Sequence, residues 1–413
     1  MANRTLFLAI PIRKLSSMLK PERLITWEFL TLNAVMFLTY CNIAVFFQFY
    51  NYLGTLPIAH ESFGLLIALF SVTVLIIRPI ISPWLHPANA KRWIAISCAL
   101  VIVSLLLYNV AYDFWTMAVV RLVHGAAYVV LATAVLAKLV GCIPRGRSGQ
   151  AFGLISVITL LPYAVIPPVL EPLNRWAGGF DQVLNLSALL MIPSFPLLYL
   201  VKDGSTDTED GEPGRAGWRE LTRNLKDRRV VLLLLLSLVV WTSFTPVFYF
   251  LKEYGDKIGV TNPGWFFTLS TFTEMAVRLV AGRMFDRLDK SRSLAYSLAW
   301  LGLGYFILAH VSDTTLFYGM GLFLGLGWGV AMPLLSGLMF DISEPQFRAL
   351  NSNLAMEMFQ AGFFVGPLAG GAILMHGGYP ILFYACGGIL AASVAAAILL
   401  GTRTQEQKHL ERS

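Results

Sequence analysis

The residues of this 413-residue chain that can do chemistry are few, charged and set in apolar surroundings. Glu357 has Gln360 three residues on and Asn353 four before it, a spacing that puts all three on one face of a helix. A carboxyl on such a stripe, facing a cavity, can take up and release a proton during a working cycle. Glu274 and Arg278 are four apart and can pair on one helix face, while Glu28 is a rival proton carrier whose position near a span end also suits an interfacial role. Arg121 keeps its proton at any physiological pH. It serves either as a fixed charge that binds an anionic group or biases a neighbouring acid, or as a structural tie to a backbone carbonyl or nearby polar side chain.

Other chemistries find little support. Cys41, Cys98, Cys142 and Cys386 form no Cys-x-x-Cys pair, and the six histidines lack the paired spacing that would bring two onto one metal. No Gly-x-x-x-x-Gly-Lys-Ser/Thr loop is present, so ATP-driven work within this polypeptide is not expected. A membrane-embedded enzyme acting on lipids would group catalytic His, Asp or Ser at one membrane face, and no such group emerges. No catalytic residue, metal or cofactor is therefore expected, and the net charge of +7 is read as membrane orientation rather than affinity for nucleic acid.

The elements that must hold these residues are membrane spans. Hydrophobic residues make up 56% of the chain and charged residues 13%, against about a quarter charged in soluble domains. Stretches of about 20 apolar residues occur twelve times: 25–51, 61–82, 93–112, 115–141, 150–172 and 180–201, then 229–252, 262–285, 293–312, 315–340, 349–375 and 379–401. The expectation is an all-α membrane protein of twelve transmembrane helices in two pseudo-symmetric six-helix bundles, 25–201 and 229–401. A charged, Gly- and Ser-containing linker, 202–228, joins them. Residues 1–24 read as a cytoplasmic amphipathic segment on the lipid surface and 402–413 as a cytoplasmic tail. With both termini cytoplasmic, the inward segments hold 24 of the 31 Lys and Arg. The outward loops hold only Arg175, Lys252 and Lys257, and four (Arg78, Arg121, Lys138, Arg278) fall within spans.

The halves repeat. RPIISPWLHPANAKR from Arg78 and RLVAGRMFDRLDKSR from Arg278 share an initial Arg, a small residue four on (Ser82, Gly282), a polar residue eight on (His86, Asp286) and a closing Arg (Arg92, Arg292). Gly125 and Gly325 keep the same offset of 200 residues. Pro144 and Arg147 are echoed by Pro345 and Arg348, shifted by one. GRMFDRLDKSR (282–292) is similar to the loop signature between the second and third span of each half in the major facilitator superfamily. RLVHGAAYVV (121–130) resembles its span-four motif, and PRGRSGQAFG (144–153) looks like its loop into span five. The span-two phrase GLLIALFSVTVLIIRPI (64–80) resembles a bacterial efflux-type subset, as does the Arg-x-x-His-Gly form of the span-four motif.

That resemblance implies a monomeric secondary transporter of the bacterial inner membrane that moves a small organic solute by alternating access. Proton-coupled export is the leading expectation, with a proton-coupled uptake symporter or a facilitator as the alternative. Spans one, four, seven and ten line the cavity in this family, which directs attention to Asn33, Tyr40, Gln48, Arg121, His124, Trp241 and Trp328 as cavity residues. Their aromatic content suggests a partly aromatic or amphipathic substrate. Arg78, Arg278, Gly282, Asp286, Arg287 and Arg292 are the gating candidates, with Glu357, Glu274 and Glu28 as proton-coupling candidates. The chain departs from the family at His86 and Pro87, where Asp and Arg are usual. Span five carries Pro162, Pro167 and Pro168 in place of a Gly-Pro signature, while GPLAGG (366–371) stands in span eleven.

Overall fold

The structure is a computed structural model that describes residues 24–85, 87–144, 148–201, 223–285 and 289–410. Its described residues form helices and connecting turns, with no strand among them. The proposed amphipathic segment, most of the linker, His86 and the gating pair Asp286 and Arg287 lie outside the described residues. The first half contains α1 (Trp27–Leu53), α2 (Phe63–Ile81), α3 (Pro87–Leu107), α4 (Phe114–Gly141), α5 (Ser148–Ala177) and α6 (Phe180–Tyr199). The second contains α7 (Arg228–Lys257), α8 (Trp265–Phe285), α9 (Lys290–Leu308), α10 (Thr314–Ile342), α11 (348–377) and α12 (379–410). The last two are separated only by Gly378, whose φ of 71° takes the chain out of the helical region. Nine stretches of the described residues are long and apolar enough to cross a membrane. One of these, Leu350–Gly401, contains the Gly378 break, while α8 and α9 fall short of that apolar standard. Trp27, Trp84, Trp115, Trp176 and Tyr199 stand exposed close to helix ends, where amphipathic rings favour the lipid–water boundary.

Helices form here because lipid offers no partner to a free backbone N–H or C=O. Helix ends are closed in matching ways in the two halves. Asp113 accepts from the amides of Trp115 and Thr116 at the start of α4, and Asp313 from the amide of Leu316 at the start of α10. The 200-residue repeat extends into packing. A Cβ at Gly125 would press on the Phe70 carbonyl, and one at Gly325 on the Ser270 carbonyl, so each half brings its fourth helix against its second at the same level. Close approach through small residues is how spans associate where the solvent is as apolar as the side chains.

At the end that the charge bias assigns to the outside, the two bundles meet. The Gly64 backbone of α2 lies against Pro367, Leu368 and Gly371 of α11, and Gly264 against Pro167 and Pro168 of α5. Polar bonds cross the same seam. Lys252 of α7 reaches Glu171 of α5 at 3.2 Å while pairing with Asp256 at 2.8 Å. Asn51 donates to Asp256 at 3.4 Å. Lys252, read from sequence as an outward-loop residue, is instead 8% exposed because α7 continues to Lys257.

The prolines of α5 explain two further bonds. Proline has no N–H and leaves the carbonyl four residues earlier without its helical donor. Pro168 and Pro172 thereby free the carbonyls of Ala164 and Pro168. Thr268 donates to the first at 2.6 Å and Asn262 to the second at 2.8 Å, both across the seam. Beneath it Phe47, Phe248, Phe266 and Phe267 are buried, whereas Tyr40, Tyr163, Arg78 and Glu357, toward the opposite end, are partly exposed. The bundles thus close on each other at this end and leave these residues partly exposed toward the other.

Gly325→Ala is expected to lower the thermal unfolding midpoint of the detergent-solubilised protein. Gly319→Ala, on the exposed face of the same helix with open space around it, is expected to leave the midpoint unchanged or raise it. Lys252→Glu sets a third acid beside Glu171 and Asp256. It is expected to raise labelling of a single cysteine at Phe47 by a membrane-impermeant thiol reagent about tenfold, a shift of roughly 1.4 kcal/mol in the open fraction. Lys257→Glu, whose partner Glu253 lies on the same helix, should leave labelling at the wild-type rate.

Candidate functional site

Arg121 and His124 lie one helical turn apart on α4, and both point into packed side chains. Arg121 is 1% exposed. Its Nε donates to the Leu66 carbonyl at 3.0 Å and its Nη2 to the Ile67 carbonyl at 2.8 Å, both on α2. Its guanidinium carbon sits 4.6 Å from the centre of the Phe49 ring, 4.9 Å from Phe70 and 5.1 Å from Phe46. Carbonyl dipoles and ring faces offset the loss of water around the charge. His124 is fully buried, with Nδ1 3.3 Å from the Tyr108 hydroxyl and its ring between Phe46 and Phe70. Expected as cavity residues, these two are packed among α1, α2 and α4, with Tyr249 of α7 in the other bundle also within hydrogen-bonding reach of Arg121.

The repeat shows what the bonds from Arg121 to α2 do. The position equivalent to Arg121 is Gly321, and a Cβ there would meet the carbonyl of Phe266, itself equivalent to Leu66. One half reaches that level of its second helix with a long cation, and the other brings the backbone into contact.

The polar seam expected along α1 divides into three tasks. Asn33 is buried and donates to the Phe29 carbonyl at 2.7 Å. Gln48 is buried in the outer seam, its Nε2 3.3 Å from Glu171. Tyr40 alone of the three faces the space between bundles. Trp328 is 2% exposed and stands edge-on to Phe244 at 5.1 Å, inside the second bundle. Trp241 is half-buried and meets Phe359 edge-on at 4.5 Å.

Around Tyr40 and Trp241 the structure assembles a recess roofed with rings. Tyr40 lies edge-on to Tyr163 of α5 and within hydrogen-bonding reach of Tyr128 of α4. Tyr163 meets Phe248 of α7 at 5.6 Å, and Phe248 meets Phe363 of α11, which lies against Phe359 at 4.7 Å. The arch runs without interruption from one bundle to the other. Tyr40, Tyr128, Tyr163 and Trp241 each stand 13–15 residues from the start of their helix, which at 1.5 Å per residue is about 20 Å in, near the middle of the membrane.

Two charges face each other at this level. The helices α2 and α11 run antiparallel, with Gly64 against Pro367, Leu368 and Gly371. Arg78, fourteen residues further along α2, therefore comes level with residues about fourteen before that contact on α11, within a turn of Glu357. Arg78 is within electrostatic reach of Glu357, Tyr40 and Tyr128. Glu357 Oε2 is buried without a hydrogen-bond partner.

The remaining acids are paired. Glu274 is bonded to Arg278 one turn on. Glu28 is 3.6 Å from Lys138, and Lys138, one of the four basic residues within spans, is buried in that ion pair. Arg292 is exposed beside Asp289 at 3.5 Å, where Asp289 caps α9. Gly282 lies on the last turns of α8, and its companions Asp286 and Arg287 lie outside the described residues. Among the described residues no cluster of three His, Cys, Asp or Glu is placed to hold a metal. Sequence reasoning missed Tyr163, Phe359 and Phe363, whose signal was their depth on spans five and eleven. It also missed the seam of Glu171, Lys252 and Asp256, whose members lie 81 or more residues apart on either side of the divide.

Known proteins match this arrangement. The chain is 27% identical over 280 residues to the multi-drug resistance efflux pump PmrA of Streptococcus pneumoniae, covering 64% of this chain and 67% of the pump. A PmrA homolog from Lactococcus lactis is 21% identical over 287 residues, covering 67% and 69%. The crystal structure of the nucleoside transporter NupG superposes with a TM-score of 0.75 over 90% of this chain and 98% of its own, at 14% identity, a likeness of fold. The Major Facilitator Superfamily model matches residues 32–264 and 246–413, so the chain belongs to that superfamily of secondary transporters.

Proposed function

We propose that the chain exports a small amphipathic organic solute carrying an aromatic group, in exchange for protons, by alternating access around the ring-roofed recess. The observation that carries this reading is the Glu357 carboxylate. The residue is partly exposed at mid-membrane depth between the bundles, with one oxygen buried and unpartnered and Arg78 within electrostatic reach. An acid in that position can hand its proton to either side as the bundles rock. Glu274 and Glu28, each tied to a cation on its own bundle, are less free to do so. Export is favoured over uptake or facilitation by the likeness to the multi-drug resistance efflux pumps of Streptococcus pneumoniae and Lactococcus lactis.

In this reading twelve crossings form two bundles, 25–201 and 229–401, joined by the 202–228 segment. The protein works as a monomer in the bacterial inner membrane with both termini in the cytoplasm. Arg78, Arg278, Gly282, Asp286, Arg287 and Arg292 act at the inner gate, and Glu171, Lys252 and Asp256 latch the outer one.

The test is proton movement in proteoliposomes on addition of amphipathic aromatic solutes. Wild type should couple solute and proton flow in opposite directions. Glu357→Gln should lose coupled proton flux at least about tenfold while retaining solute exchange, and Glu274→Gln should retain coupling. Proton and solute moving in the same direction would replace export by symport. Undiminished coupling in Glu357→Gln would remove the proton site.

A further inference from the structure

The repeat is broken at mid-membrane depth, where Arg78 of one bundle and Glu357 of the other stand within electrostatic reach. In the second half Arg278 is neutralised by Glu274, one turn earlier on the same helix. The equivalent of Glu274 in the first half is Val74, fully buried between Val129 and Ile77. Arg78 thus has no acid on its own helix face. Among the described residues no carboxylate stands within 4.0 Å of it, and Glu357 on the other bundle is within its electrostatic reach. The repeat equivalent of Glu357 on α5 is Val157, or Ser156 with the one-residue shift seen before that helix, so the second half needs no such cross-bundle partner for Arg278.

An isolated cation in a span is costly, by a few kcal/mol on insertion scales. A cation and an anion held apart on facing walls are each incompletely compensated, and a dipolar ligand lying between them compensates both. A monocation satisfies Glu357 and leaves Arg78 facing like charge. A monoanion does the reverse. Tyr40, Tyr128 and Tyr163 on one side and Trp241, Phe359 and Phe363 on the other supply ring faces and edges for the apolar part. The hydroxyls of Tyr40 and Tyr128 lie on the Arg78 side, placing hydrogen-bond donors where a carboxylate would sit.

We propose that Arg78 and Glu357 form a charge bracket that selects aromatic zwitterions, the anionic end of the ligand toward Arg78 and the cationic end toward Glu357. This rests on the recess being the transport site and adds to it the charge class of the substrate.

The test uses one ring system in four charge forms: 2-naphthylalanine, its methyl ester (monocation), its N-acetyl derivative (monoanion) and its N-acetyl amide (neutral). Binding to the full-length protein in nanodiscs is read by quenching of tryptophan fluorescence and by competition, at a pH where the free amine of the ester is protonated. Wild type should bind the zwitterion about tenfold tighter than either singly charged form, a difference of about 1.4 kcal/mol. Arg78→Gln should reverse the order in favour of the ester, and Glu357→Gln in favour of the N-acetyl acid. Arg78→Lys should keep the wild-type order.

Opposite shifts from two variants of one protein cannot come from misfolding, which weakens every ligand alike. Equal binding of all four forms by wild type, or failure of the zwitterion to bind, would overturn the inference. So would variants that alter turnover while keeping the order of preference, since the pair would then be a gate. The recess is tested apart from this. Trp241→Ala and Tyr163→Ala should weaken all the forms that bind, and wild-type binding of all of them by both variants would sink the site itself.

Discussion

A charge placed in hydrocarbon must be compensated by the protein, because the solvent will not do it. Nearly everything specific in this molecule follows from how each buried charge meets that demand. Arg121 takes two carbonyls and three ring faces, Lys138 takes Glu28, Arg278 takes Glu274, and Lys252 takes two acids in the outer seam. Three of these fix helices relative to one another, α4 on α2, α4 on α1 and α7 on α5, while Arg278 and Glu274 pair within α8. Arg78 and Glu357 are the exception, compensated at a distance and across the divide, and the recess is built around them.

The two halves solve the same packing problem with different residues, and the differences are informative. Levels 66 and 266 on the second helix of each bundle meet an arginine in one half and a glycine in the other. Levels 70 and 270 meet glycine in both. Level 74 holds a valine packed into a small apolar cluster, and level 274 an ion-paired acid. Along this helix the two halves match at levels 70 and 270 and diverge in chemistry on either side of them. The outer end, whose task is closure, keeps glycine and proline contacts on both sides of the pseudo-axis.

Much of the fold was legible in the sequence because hydrocarbon imposes a length and an apolar composition on each span, and because the 200-residue repeat is carried by Arg78 and Arg278 and by Gly125 and Gly325. The break between α11 and α12 at Gly378 is marked in the sequence by Gly-Gly-Tyr-Pro at 377–380. The site was less legible. Depth along a span is readable from sequence, but rotation about the helix axis is not when apolar residues surround it on all sides. Asn33, Tyr40 and Gln48 share a spacing and still face a backbone carbonyl, the recess and the outer seam respectively. Contacts between halves, such as Lys252 with Glu171, depend on which conformation the bundles occupy, and no periodicity encodes that.

The prolines of α5 have a consequence for the solvent. Closed, the outer seam gives the carbonyls of Ala164 and Pro168 their donors from Thr268 and Asn262. Those donors leave with the second bundle when the seam parts, and the helix has no N–H of its own to offer in their place. Water must then take up both carbonyls. Opening is therefore a hydration step as well as a rotation, with bound water among its products. The balance between the two conformations becomes a function of water activity, and osmolytes excluded from the opened crevice would press the transporter toward the form in which this seam is closed.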